Sequence, residues 1–181
     1  MDQPLDKFLQ RQLRKRHLAQ IWASLAGLAP GMTVLDIGSG AGFLAAEYAR
    51  LTGPTGKVYA LEPKMPPQET APNLVHLAQD AAAPIELPRQ PDIVFVTDTL
   101  HHAADPIAFL SSIRAACGAR TVILFTEYDP AQPGLVGAKP HRRMPRETAR
   151  DLILAAGFAI TSVADSADEH YAILAAADLP G

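Results

Sequence analysis

The sequence predicts an α/β fold in which helices pack on both faces of a central, mostly parallel sheet. Three observations carry this. Short continuous apolar runs such as Ile-Val-Phe-Val at 93–96 recur along the chain, they alternate with helix-like stretches, and one of them passes at 33–43 straight into alternate glycines. Continuous apolar runs belong to strands covered on both faces, and their alternation with helices gives a layered architecture. At 181 residues, 48% hydrophobic and 19% charged, the chain suffices for one well-buried core and is short for two ordinary domains. One globular unit is expected, with residues 1–29 as an N-terminal helical lid segment and 30–181 as the main domain.

Leu5, Phe8 and Leu9, then Leu18, Ile21, Trp22 and Leu25, recur at helical spacing. Residues 4–27 therefore read as one helix or two, ended by Gly27 and Pro30. Lys7, Arg11, Arg14, Lys15, Arg16 and His17 lie between those apolar positions. They form either a solvated face or the basic side of a lid over a ligand cleft, where it would meet an acidic substrate or partner.

Strands are predicted at 34–37, 58–61, 74–78, 93–97 and 122–126, and helices at 43–51 and 106–117. Residues 63–73 carry prolines at 63, 66, 67 and 72, so no full helix is expected there. A Pro- and Gly-rich loop over 127–145 is long enough to be functional or disordered. A helix at 146–156 closed by Gly157, then strands at 158–164 and 170–175 around a polar turn, gives a terminal antiparallel hairpin.

Net charge is −3, which leaves no global positive field to gather nucleic acid or anionic lipid. The single cysteine, Cys117, excludes an internal disulfide and any cysteine-rich metal cluster. The start lacks a secretory pattern, and no segment approaches the roughly 18 apolar residues of a membrane helix. The expected location is therefore the cytoplasm, without membrane insertion.

The strand at 34–37 meets Asp36-x-Gly38-x-Gly40-x-Gly42. A helix opening after Gly42 presents free N–H groups and a positive dipole end, so a small, partly anionic ligand is expected there. The dinucleotide fingerprint counted from Gly38 would need glycine at 43, where the chain has Phe43. Glu62, at the next strand end, follows Gly40 by 22 residues. There a carboxylate either accepts from both hydroxyls of a ribose or simply ends a strand.

The glycine loop resembles the first motif of class I S-adenosylmethionine-dependent methyltransferases. After the fourth strand, Thr97-Asp98-Thr-Leu-His101-His102 followed by Asp105-Pro looks like the ubiquinone/menaquinone-biosynthesis type of small-molecule methyltransferase. The likeness spans roughly residues 30–176. It implies a Rossmann-like, seven-stranded, mostly parallel sheet with the terminal hairpin, S-adenosyl-L-methionine as cofactor and a small organic acceptor. The signature of amino-directed nucleic-acid methyltransferases, Asn/Asp-Pro-Pro-Tyr/Phe, does not occur, which agrees with the charge. The shortened segment 63–73 departs from the family, which implies a more open adenine side of the pocket and bears on cofactor affinity.

Carried onto this sequence, the resemblance implies a cofactor site of Asp36, Gly38, Ser39, Gly40 and Gly42, with Glu62 on ribose, Asp80 and Ala81 at adenine, and Thr97 and Asp98 at the methionine end or the substrate. Asp80 could instead hold a turn. His102 or His101 is a candidate general base, since an imidazole titrates near 6.5, and His102 could equally cap the following helix. A metal site is not expected, because adjacent histidines rarely converge on one ion. Glu127, Tyr128 and Asp129 are alternative acids or bases. The basic run Lys139-Pro-His141-Arg142-Arg143 suggests recognition of a carboxylate, phosphate or phenolate, or else a solvated loop. Two other functions remain open. An NAD-dependent oxidoreductase is disfavoured by Phe43 and by the absence of a Tyr-x-x-x-Lys pair, while a methyltransferase-like binding protein without turnover is kept open by the short 63–73 segment.

Overall fold

The computed structural model describes residues 7–177, with side chains from Leu9 onward. Residues 1–6 of the predicted lid segment, Leu5 among them, and residues 178–181 lie outside the described residues, as does the side chain of Phe8.

Seven strands form one sheet in the order β3-β2-β1-β4-β5-β7-β6. They are β1 (Thr33–Ile37), β2 (Lys57–Leu61), β3 (Leu74–Leu77), β4 (Ile93–Thr97), β5 (Val122–Tyr128), β6 (Ala159–Asp165) and β7 (His170–Ala176). Pairing is parallel from β3 to β5, and β7 runs antiparallel between β5 and β6. This is the seven-stranded sheet with a terminal antiparallel hairpin that the sequence predicts. The strand order reverses at β1, between β2 and β4, and in open α/β sheets ligands gather in the crevice at such a point, beyond the strands' carboxyl ends.

The helices are α1 (Lys7–Arg14), α2 (Leu18–Ala26), α3 (Phe43–Thr52), α4 (Pro106–Ala116) and α5 (Arg146–Ala155). Every residue of β1 and of β4 is buried, so each strand feeds two cores. Leu35, Ile37, Val94 and Val96 pack toward α4 and α5 with Leu110, Ile113 and Ile153. Val34, Ile93 and Phe95 pack toward α2 and α3 with Trp22, Ala45 and Tyr48. Side chains on a strand alternate between faces, which puts Asp36 on the α2/α3 side with Val34.

No helix forms between β2 and β3, as the prolines predict. The segment is instead tied to α3 by Asn73, whose Nδ2 donates to the carbonyls of Ala49 at 2.8 Å and Gly53 at 2.9 Å. A groove of about 430 Å³ is left there, lined by Ala46, Ala49, Pro54, Ala71 and Pro72 among others. Asp105 caps α4 by accepting the Ala108 N–H at 3.0 Å, with Pro106 at the first helical position.

Candidate active site

The carboxyl ends of β1, β2 and β4 bring most of the predicted residues together. Gly38, Ser39, Gly40, Ala41 and Gly42 carry the chain from β1 into α3. Gly40 has φ +56°, in the left-handed region that favours glycine, and a Cβ there would stand 2.4 Å from the Gln12 carboxamide, which would have to shift. Gly42 has φ +85° at the N-terminus of α3.

Asp36 is fully buried, and neither carboxylate oxygen has a hydrogen-bond partner. Burial pushes its pKa up to about 7, opposed by the charge of Lys15. The Ser39 hydroxyl, also buried, is likewise unpartnered. Such orphans are rare in folded proteins and cluster where a ligand completes the bonding.

Glu62, immediately after β2, turns toward the glycine loop. Its Oε2 accepts the Gly40 N–H at 3.2 Å, and its Oε1 accepts from the backbone of Lys64 at 2.9 Å and of Met65 at 3.2 Å. Ala81 is buried beyond β3, whereas Asp80 is exposed and its Oδ1 accepts the Ala82 N–H at 2.9 Å. Through that bond the Asp80 Oδ1 holds a turn.

At the end of β4 Thr97 is buried, and Asp98 beyond it adopts φ 49° in the left-handed region. Asp98 meets Lys15 Nζ at 2.7 Å and His170 Nε2 at 3.1 and 3.2 Å. Burial alone would raise its pKa; the Lys15 charge and the His170 hydrogen bond outweigh that and hold the carboxyl well below the usual carboxylate range. His170 is itself buried, with the Trp22 ring edge-on at 5.2 Å and the Tyr128 ring at 3.9 Å.

The two histidines share a single turn of 3-10 helix, Leu100–His102. His101 Nδ1 lies 2.6 Å from Glu127 Oε2, and its backbone N–H donates to Glu127 Oε1 at 3.2 Å. Burial pulls the His101 pKa down, and the Glu127 hydrogen bond and charge more than reverse this, raising it. His102 lies 3.9 Å ring to ring from His101 and is more exposed; burial and the neighbouring imidazole lower its pKa.

β5 extends through Glu127 and Tyr128, so the long loop begins at residue 129. Within it His141 and Arg142 are exposed on a 3-10 turn. Arg143 is a correction to the expectation of substrate recognition. Its side chain is wholly buried and bonds the carbonyls of Ala138 at 2.7 Å, Asp129 at 2.9 Å and Val136 at 2.5 Å, with Glu169 Oε2 at 2.7 Å. The guanidinium braces the loop and has no face left for an acceptor.

The basic stretch near the start of the chain meets acids of the protein itself. Besides Lys15, Arg16 pairs with Glu47 at 2.6 Å and Glu69 at 3.1 Å, and His17 with Asp168 at 2.9 Å. Gln12 Oε1 accepts the Ala41 N–H at 2.7 Å. Sequence reasoning missed Gln12 and His170. A polar residue opening an otherwise apolar strand was the available signal for His170; Gln12, in a polar helix, offered none.

Comparisons with known proteins agree with this geometry. The structure superimposes on the crystal structure of an S-adenosylmethionine-dependent methyltransferase from Aquifex aeolicus with a TM-score of 0.81 at 21% identity, covering 95% of this chain and 98% of that one. It also matches magnesium protoporphyrin IX methyltransferase from Synechocystis PCC 6803 with bound S-adenosylhomocysteine, with a TM-score of 0.63 at 18% identity, over 97% and 90% of the two chains. In sequence, the chain is 38% identical over 79 residues to a protein-L-isoaspartate O-methyltransferase from Methanococcoides burtonii, covering 44% of this chain and 36% of that protein. The chain therefore spans about a third of the length of the curated relatives it matches. No helix among the described residues is long and apolar enough to cross a membrane. A family model described as a methyltransferase domain matches residues 5–165, and this chain, with its sheet order and glycine loop, belongs to that methyltransferase family.

Proposed function

We propose that this chain moves the methyl group of S-adenosyl-L-methionine to a small organic acceptor, in the manner of the ubiquinone/menaquinone-biosynthesis type. The observation that carries this reading is the Glu62 carboxylate set 3.2 Å from the Gly40 N–H, beside the buried and unpartnered carboxyl of Asp36. The first suits the two hydroxyls of a ribose, and the second suits a cationic end. When bound, the cofactor supplies a methyl group on a sulfonium, a good leaving group.

The chain's own part is to bind, orient and exclude water, and such positioning supplies roughly 7–11 kcal/mol. Asp36, Gly38, Ser39, Gly40 and Gly42, with Thr97 and Asp98, frame the methionine end; Glu62 takes the ribose, and Asp80 and Ala81 the adenine. His101 takes a proton from an acceptor oxygen or nitrogen at Nε2, with Glu127 holding Nδ1. His102 is the alternative base beside it. His141 and Arg142 would meet an acidic group on the acceptor. The net charge of −3 speaks against nucleic acid as acceptor, and a cytoplasmic setting goes with this reading.

Calorimetric titration with S-adenosylmethionine and S-adenosylhomocysteine, with NAD as control, tests the cofactor. Micromolar binding of the first two is expected, and binding of NAD alone overturns the reading. Glu62→Ala should weaken binding at least about tenfold; unchanged affinity removes Glu62 from the ribose. Small phenols and carboxylic acids assayed beside an isoaspartyl peptide test the acceptor, and methylation of the peptide alone would replace a small acceptor with a protein one.

A further inference from the structure

Gln12 and Lys15 make polar contacts at the mouth of the proposed cofactor site. Gln12 Oε1 takes the Ala41 N–H of the glycine loop at 2.7 Å, pressed so closely on Gly40 that a Cβ there would clash. Three residues on, Lys15 Nζ lies on Asp98 Oδ2 at 2.7 Å, at the end of β4. One turn of chain therefore presents an acceptor oxygen to the loop amide and an ammonium to the carboxylate. An amino-acid zwitterion has the same two groups.

Asp36, within the same site, bears on the same point. It is buried with both oxygens unpartnered, and the one charge that lowers its raised pKa is that of Lys15. Polar contacts hold this turn. No side chain from Leu9 to His17 is buried; Arg16 adds ion pairs to Glu47 and Glu69, and His17 a contact to Asp168.

We propose that α1 and the turn after it act as an internal stand-in for the methionine end of the cofactor, Gln12 in place of the carboxylate and Lys15 in place of the ammonium, so that the cofactor enters by displacing them. This rests on the cofactor reading above. A site filled by its own chain for nine-tenths of the time binds about tenfold more weakly than its open form. Only ligands that carry the zwitterion feel that competition.

Titration of S-adenosylhomocysteine and 5′-methylthioadenosine into the full chain and into Gln12→Ala, Lys15→Met and the double variant tests this. The double variant should bind S-adenosylhomocysteine about tenfold more tightly and methylthioadenosine, which lacks the amino acid, equally well. Equal or weaker binding of S-adenosylhomocysteine by a folded variant overturns the proposal, because Gln12 and Lys15 would then be part of the site or bystanders. Failure of both nucleosides to bind any form removes the cofactor reading and this inference with it. Hydrogen exchange in the unmodified chain is an independent check. S-adenosylhomocysteine should speed exchange over residues 7–16, and slower exchange there overturns displacement.

Discussion

Asp36 is a buried acid whose neutral form the fold favours, and that preference has a sign in pH. An unfolded aspartate titrates near 4, whereas burial lifts Asp36 to about 7. The stability this raised pKa contributes is present below about pH 4 and is lost as pH rises through about 7. Asp36→Asn removes the titration, so its melting temperature should fall less than that of the unmodified chain between pH 5 and 8, and sit a few degrees higher at pH 8. Thermal unfolding at the two pH values checks this, and parallel slopes would exclude it. His101 has the opposite consequence for turnover. Its pKa is raised because Glu127 outweighs burial, so the neutral base forms only above the ordinary imidazole range and the rate should climb there. Glu127→Gln should move this limb to lower pH, and His101→Ala should cost about a hundredfold or more in kcat. A limb that stays in place in Glu127→Gln separates the carboxylate from the base.

At the scale of elements, Arg143 and Glu169 together brace the loop over 129–145. Arg143 ties three loop carbonyls to Glu169 near the start of β7 and lies over the Tyr128 ring at 5.0 Å. Arg143→Met should leave the sheet intact and free the loop, with faster tryptic cleavage after Arg142; cleavage at the original rate would argue against the brace. β1 and β4 were legible in the sequence because every residue in them is buried and apolar apart from Thr33, Asp36 and Thr97. The continuation of β5 through Glu127 and Tyr128 was not, because the polar side chain of Glu127 is buried there by a partner, His101, that the sequence does not place. Nor was the break between α1 and α2 fixed, since residues 15–17 contain neither glycine nor proline. The three side chains are drawn instead to Asp98, to Glu47 and Glu69, and to Asp168. The glycine loop and Glu62 were legible because their chemistry is local to one strand–turn–helix unit and the next strand end. Arg143 read as a ligand-binding cation because charge alone cannot tell a brace from a binding group.

Across the whole molecule, the two N-terminal helices play unequal parts despite reading as one segment in the sequence. α2 is core: Leu18, Ala19 and Trp22 are fully buried, and Trp22 reaches across to Ser166 at 3.1 Å and to the His170 ring. Removing that indole should open a cavity beside Val34 and Phe95 and cost about 3–5 kcal/mol. α1 has no buried side chain among those described, and the Arg16 ion pairs of the turn after it are partly exposed, where such pairs contribute about 0–1 kcal/mol each. The sheet and its two cores should therefore survive without α1. A chain beginning at residue 15 should unfold cooperatively within a few degrees of the full chain, while Trp22→Ala in the full chain should melt about 10 °C lower or fail to fold. Calorimetric unfolding of the two decides the matter. A truncated chain as unstable as the Trp22 variant would mean that α1 belongs to the core; the expected result would make it a separable cover that reaches the glycine loop through the Gln12 contact to the Ala41 N–H.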